Sequence, residues 1–409
     1  MLKYWLWLAE LPGLKNTSRL ALLRHFGSPE DIFYADREEL LLAEDVLQAQ
    51  AELALKRNLD RAERILADCQ RLGLRILTCQ DAEYPRRLKS IYDPPFLLYA
   101  KGRIPAFDEE AAVAVVGTRS CTPYGISCAM RLGRELAAGG AVVVTGLAKG
   151  VDAAAAQGAL RAGGTVVGVT GNGLDVYYPY ESRSLYDDVA AAGVLLSEYP
   201  PGTEPDGRHF PVRNRIMAGL SVAALVVEAP ERSGALITAH QALEQGRDVY
   251  AVPGPINAPS SQGCNRLIRD GAGLAACGWD VLRGFREQFP DKLHPPGELP
   301  AWAPLTPRRQ DPPKAPEPPE PPGAPEPPVL SAVAREGLTD DQIALLGVLE
   351  AEKPMQVDDL IQAADIPARR VLSALTVLEI DGCVRQHSGK RYTRTVTLEN
   401  TEPAAGRRN

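Results

Sequence analysis

Between residues 111 and 290, short apolar runs alternate with stretches of helical periodicity. Ala112–Val116, Ala141–Val144, Thr165–Val169, Val194–Ser197, Ala223–Val227 and Asp248–Val252 are predicted as strands. Several are continuously apolar, as burial on both faces of a parallel sheet requires. Tyr124–Ala138, Asp152–Ala162, Arg213–Gly219 and Ala235–Gln245 are predicted as the intervening helices. This alternation specifies an α/β fold: a Rossmann-like, doubly wound, mostly parallel sheet whose ligands bind outside the carboxyl ends of its strands.

The flanks read differently. Leucine-rich helical periodicity runs from Leu20 through Arg71, with turns at Pro12-Gly13 and Gly27-Ser28-Pro29, giving a small helical domain over residues 1–80 ahead of the α/β domain at 81–290. There Leu11-Pro12-Gly13-Leu14-Lys15 reads either as a helix-hairpin-helix turn aimed at a phosphate or as an ordinary bundle turn. Pro312–Pro328 is a Pro-Glu run that cannot form ladders or bury a core, so residues 291–335 are a spacer. Beyond it, helical patterns at Asp341–Ala351, Val357–Asp365 and Ala368–Glu379 precede a hairpin, Cys383–Gln386 and Arg391–Thr393, turning at Ser388-Gly389. Three helices and a β-wing make a winged helix over residues 336–396, leaving a disordered tail at 397–409.

Charge narrows the function. The 409 residues carry 45 Lys and Arg against 52 Asp and Glu, a net charge of −7, so any nucleic-acid contact must use a local basic patch. The winged helix holds seven basic and nine acidic residues from Asp340 to Arg394, and contact with protein or with DNA both stand as its role. No apolar stretch approaches the ~20 residues of a membrane span. The opening Trp5-Leu6-Trp7-Leu8-Ala9 stops at Glu10 without a cleavage pattern, so the expectation is a cytoplasmic protein without membrane insertion. Seven scattered cysteines with no C-x-x-C pair point to neither a disulfide framework nor a metal site.

Distinctive residues follow the strands. The first strand runs into Gly117-Thr118-Arg119, placing backbone N–H groups, a hydroxyl and a cation where a phosphate would sit. Neither G-x-G-x-x-G nor a Walker sequence occurs, so NAD and ATP lose support and no cofactor is expected. The second ends in Thr145-Gly146-Leu147-Ala148-Lys149-Gly150-Val151-Asp152, with Lys149 as a phosphate contact and Asp152 as the N-cap of the next helix. The third delivers Gly171-Asn172-Gly173. Ser233-Gly234-Ala235-Leu236-Ile237-Thr238 opens a later helix, where Ser233 and Thr238 serve either anion contact or capping. Val252-Pro253-Gly254 and Gly263-Cys264-Asn265 complete the rim.

Arg208-His209-Phe210-Pro211-Val212-Arg213-Asn214-Arg215, placed before a short helix from Ile216, holds cations around an aromatic face. That pairing suits single-stranded nucleic acid, whose unstacked bases gain about 1–3 kcal/mol each on aromatic rings. The competing reading buries Phe210 in the core and pairs the arginines with acids such as Glu198 or Glu228. No histidine follows a G-x-S-x-G elbow, and Cys264 is a weak candidate nucleophile, so catalysis is not expected.

Taken together, these rim motifs, with Asp81-Ala82-Glu83-Tyr84-Pro85 and Asp93-Pro94-Pro95, resemble the DNA-processing protein A (DprA/Smf) family over roughly residues 80 to 280. The resemblance implies an N-terminal SAM-like domain, a C-terminal winged helix, and a homodimer that binds and protects single-stranded DNA in natural transformation and loads a RecA-type recombinase. It carries a DNA-binding role onto Arg119, Lys149, Phe210, Arg213 and Arg215, and the reading of the rim loops adds Gly117, Thr118, Gly146, Asn172, Asn214, Ser233 and Thr238 to the expected site. One departure is Ala154 after Gly150-Val151-Asp152-Ala153, where relatives commonly carry a histidine. The alternative is a nucleotide-binding enzyme of the lysine-decarboxylase-like, phosphoribohydrolase type. That enzyme would want a Pro-Gly-Gly-x-Gly-Thr loop, and neither Val252-Pro253-Gly254-Pro255 nor Ser233-Gly234-Ala235 supplies it.

Overall fold

The structure, a computed structural model, describes residues 1–44, 46–296, 331–333, 338–351, 354–387 and 391–398. The Pro-rich run of the expected spacer, the Ser388-Gly389 turn and residues 399–409 of the expected tail lie outside the described residues. The chain divides into two compact units, Met1–Arg308 and Arg309–Asn409. Among the described residues no helix is long and apolar enough to cross a membrane.

Nine strands make one sheet in the first unit: β1 (Arg75–Thr78), β2 (Leu97–Gly102), β3 (Ala112–Val116), β4 (Val142–Thr145), β5 (Val166–Thr170), β6 (Val194–Ser197), β7 (Ala223–Val226), β8 (Asp248–Ala251) and β9 (Gly273–Leu274). Their order is β1-β2-β6-β5-β4-β3-β7-β8-β9. From β6 to β9 every neighbouring pair is parallel, whereas β1 and β2 extend the β6 edge antiparallel. Every residue of β3, β4, β5, β6 and β7 is buried, which is why these segments read as unbroken apolar runs.

The chain leaves β3 toward β4, β5 and β6, then returns to place β7 on the other side of β3, with Val116 level with Val226. The carboxyl ends of β3 and β7 therefore form the topological switch point, where the covering helices diverge and leave a crevice. Those helices are α3 (Pro123–Ala138), α4 (Val151–Arg161), α5 (Arg183–Ala192), α6 (His209–Leu220), α7 (Gly234–Glu244) and α8 (Gln262–Arg269). Ahead of the sheet, α1 (Leu2–Glu10) and α2 (Asn16–Phe26) flank the hairpin at Pro12-Gly13, where Gly13 takes a φ of 81°. Further helices at Pro29–Tyr34, Arg37–Leu41, Gln48–Ala54 and Asp60–Leu72 pack into the same apolar cluster as the sheet.

The second unit has its own core. Leu345, Leu346, Leu360, Val371, Leu375 and Leu378 are buried between α9 (Asp340–Val348), α10 (Val357–Ala364) and α11 (Ala368–Ile380). Strands Met355–Gln356, Arg391–Arg394 and Val384–His387 pair antiparallel beside them, so the three-helix and wing reading holds.

Candidate nucleic-acid interface

The loops at the switch point are zipped to one another. Thr118 N–H, just past β3, donates to the Glu228 carbonyl beyond β7 at 2.8 Å, and Val151 N–H donates to the Thr118 carbonyl at 3.3 Å. Gly150 makes this approach feasible: its φ is 85°, and a Cβ there would lie 2.5 Å from the Thr118 carbonyl oxygen. Asp152 departs from the N-cap expectation. Gly150 holds that position, and Asp152 sits inside the first turn of α4, where its carboxylate turns back to accept from Gly146 N–H at 3.1 Å. Burial pushes this carboxyl up to about 6, with the Arg213 guanidinium opposing the shift.

From His209 onward the Arg208–Arg215 cluster is helical rather than a loop ahead of a helix, and Arg208 is the cap position. α6 begins at His209, and Pro211 falls in its first turn, where no N–H is required of it. Starting the helix seven residues earlier than Ile216 redistributes the cluster. At 100° per residue, Phe210, Arg213, Asn214 and Met217 face one way and line the switch-point cleft, while Val212 and Arg215 face the opposite side. Arg215 is only 7% exposed and is closed by Glu198, which takes it in a two-pronged bond at 2.9 Å, and by Asp93 at 2.9 Å. Burial works against its charge, yet the two carboxylates more than offset this and hold Arg215 above its ordinary value.

Arg213 lines the cleft and is 5% exposed. Its guanidinium donates to the Gly146 carbonyl at 2.9 Å, to the Val169 carbonyl, and to Asn214 Oδ1 at 3.1 Å, tying the loop after β4 to β5. Burial pushes it below its ordinary value, with Asp152 acting in the other direction. Gly146 has no room for a side chain, since a Cβ would meet the Arg213 guanidinium within 2.5 Å.

The exposed chemistry stands at the lip. The Arg119 guanidinium lies 4.6 Å from the centre of the half-buried Phe210 ring, and Tyr178 stacks on the same ring at 5.6 Å with 27° between planes. Below them opens a cleft of about 580 Å³, walled by Gly117, Thr118 and Arg119 from β3, Asp152 from α4, the cleft face of α6, and Arg232, Ser233 and Thr238 at the start of α7. Ser233 caps α7 through Ala235 N–H at 3.3 Å, while Thr238 is buried. Besides Arg215, three expected residues do not wall the cleft: Gly146, covered by the Arg213 guanidinium, and two more. Asn172 is buried and braces its own loop by donating to the Gly173 and Val176 carbonyls, and Lys149 is exposed, 3.6 Å from Glu181.

Sequence reasoning passed over Tyr178 and Arg232. The signals were present: an aromatic pair around Pro179 just after the third rim loop, and a cation directly before the Ser233 cap. The candidate thiol has the wrong environment for a nucleophile. Cys264 is fully buried against the Val226 carbonyl, and burial pushes its thiol up to about 12.

A doubly wound sheet with a lined switch-point cleft, followed by a winged helix, defines the class as a Rossmann-like protein with an appended winged-helix module. The comparisons with known proteins place it within that class. Residues 75–286 match the family described as DNA recombination-mediator protein A, and residues 313–390 match the DprA winged helix domain. Protein Smf of Synechocystis is 33% identical over 401 residues, spanning 96% of this chain and 98% of that one. DNA processing protein DprA of Streptococcus pneumoniae is 46% identical over 206 residues, 49% of this chain and 71% of that one. The X-ray structure of DNA processing protein A from Streptococcus pneumoniae superposes with a TM-score of 0.57 at 37% identity, covering 69% of this chain and 98% of that one. The chain belongs to the DNA recombination-mediator protein A (DprA/Smf) family.

Proposed function

We propose that this chain is a non-catalytic mediator that grips single-stranded DNA at the switch-point cleft, protects it during natural transformation and delivers it to a RecA-type recombinase. It acts in the cytoplasm as a homodimer. The observation that carries the reading is the Arg119 guanidinium over the Phe210 ring at the mouth of the cleft, 4.6 Å from its centre. A cation and a π-face presented together suit a backbone phosphate and its unstacked base, which a duplex does not offer. Arg119, Thr118, Ser233 and Arg232 are the groups placed for phosphate, and Phe210 and Tyr178 for bases. Arg213, Arg215, Asn172 and Gly146 act one step back by holding the loops and α6 in register.

One observation favours a nucleotide enzyme instead: Asp152, a carboxyl raised to about 6, borders the same cleft. Its engagement with Gly146 N–H and its proximity to Arg213 give it a structural use in the mediator reading. Titration of binding to a fluorescent dT oligonucleotide against salt, competed with duplex of equal length and with nucleoside monophosphates, separates the two. Salt-sensitive binding that neither competitor displaces is the expected result. Competition by micromolar monophosphate, or its consumption, would overturn the mediator reading.

A further inference from the structure

Both carboxylates that close Arg215 are themselves braced from the N-terminal helices. Asn16, the first residue of α2, donates from Nδ2 to Glu198 Oε1 at 2.9 Å. Arg19 fixes Asn16 in turn: its Nη1 donates to Asn16 Oδ1 at 2.9 Å, while its Nε and Nη2 take the Leu8, Ala9 and Leu11 carbonyls at and just past the end of α1. Asp93 stands on the segment before β2, and there Trp5 of α1 packs on Phe96 with ring centres 4.7 Å apart. The loop that carries Glu198 also grips α6 at a second point, since Tyr199 stacks on His209 at 4.0 Å with 21° between planes. A continuous chain of contacts therefore runs from the end of α1 through Asn16 and Glu198 to Arg215, on the helix that carries Phe210 and Arg213.

We propose that the N-terminal helical domain clamps the DNA site from behind, with Asn16 and Glu198 as positioning residues that set α6 and so the placement of Phe210 and Arg213 in the cleft. The inference rests on the reading of the cleft as the single-strand site and adds to it a part of the chain that does not touch the strand. Polar contacts have to do this holding, because the back of α6 borders a cavity of about 750 Å³, lined by Asn16, Arg19, Glu198, Val212 and Arg215, rather than a packed apolar layer. Arg215 is too buried for water to hold its charge, so its position follows that of its carboxylates. A helix moves as a rigid element, and a displacement imposed at Arg215 on one face is carried to Phe210 and Arg213 on the other.

The test uses the full chain and a fluorescent dT oligonucleotide, with circular dichroism to verify folding of each variant. Asn16→Ala is expected to weaken binding between about two- and thirtyfold, the span of couplings carried between sites, with an unchanged salt slope because no phosphate contact has been removed. Asn16→Asp suits a helix start and keeps the acceptor for Arg19, but sets a like charge against Glu198, so it should lose at least as much. Combining Asn16→Asp with Glu198→Gln exchanges donor and acceptor across the same contact, and that double variant should bind tighter than Asn16→Asp alone. Parent-like binding by both single Asn16 variants would overturn the clamp, as would a double variant no tighter than Asn16→Asp. A lowered salt slope in Asn16→Ala would overturn it too, by showing that the hairpin contacts phosphate itself. Arg119→Ala reports separately on the cleft: its loss beside unchanged Asn16 variants leaves the cleft reading standing, whereas parent-like binding by Arg119→Ala sinks the cleft whatever Asn16 does.

Discussion

Two arginines of similar sequence appeal do opposite work. Arg119 is exposed over an aromatic ring, so Arg119→Ala should leave stability unchanged, lower affinity for all single-stranded sequences and reduce the salt slope by about 0.7. Arg215 is buried between two carboxylates, and Arg215→Ala strands both of them. Removing one partner of such a network costs about 3–5 kcal/mol, which urea denaturation would register as a lower midpoint. Sequence named Glu198 as a partner for the arginines of this cluster, and the structure bears that out for Arg215, but which arginine it takes was not legible from charge or motif. The choice comes from helix phase, because starting α6 at His209 turns Arg215 away from the face that holds Phe210 and Arg213. Pro211 reads as a breaker in sequence, while in a first turn it breaks nothing.

Asp152 yields a pH prediction with a definite sign. Its folded value is raised from 3.8 to about 6, so between those limits the folded protein holds a proton that the unfolded chain has released. The stabilisation associated with that proton is present below the lower value and lost as pH rises through the upper one. Asp152→Asn keeps an acceptor for Gly146 N–H and cannot titrate. Denaturation midpoints of parent and variant, measured from pH 4 to 7, should therefore diverge, with the parent losing stability relative to Asp152→Asn as pH increases. Parallel profiles would show that the buried carboxyl stays ionised throughout.

At the scale of elements, the parallel strands were legible because two-sided burial makes each an apolar run with ends within a residue or so of those expected. β3 and β6 match their expected bounds outright. β1, β2 and the parallel β9 were not foreseen: β9 is two residues long without a buried position, β1 is four residues long with one exposed and one half-buried position, and its antiparallel pairing onto β6 through β2 leaves no local signature. Helix contacts were equally silent. α3 and α4 approach until Gly158 faces Met130 and Gly133 faces Ala155, where a Cβ would lie 2.1 Å and 2.2 Å from the opposing carbonyl oxygens. The obstruction is backbone that cannot swing aside, so Gly158→Ala should destabilise by about 1–3 kcal/mol. Gly347, in α9, has nothing within 4 Å of its missing Cβ and no positive φ. Gly347→Ala should instead stabilise the winged helix by about 0.5–1 kcal/mol, and paired denaturation curves would test both signs.

At the scale of the whole molecule, the two units have separate apolar cores and are joined through a Pro-Glu run that sequence alone marks as unable to build a third. Their surfaces differ as well. The rim of the first unit presents Arg119 and Arg232 to the cleft, whereas α11 exposes Leu372, Val377 and Ile380, and its Arg370 is engaged by Asp341 at 2.7 Å. With more acids than bases in its sequence, the winged helix has little with which to displace counterions from DNA. A chain ending at residue 296 should therefore bind a dT oligonucleotide with nearly the parent affinity and the same salt slope, because every group assigned to phosphate or base lies before that point. A slope lowered by 1 or more on truncation would mean that the winged helix contributes phosphate contacts, and the choice between DNA and protein contact for that module would turn to DNA.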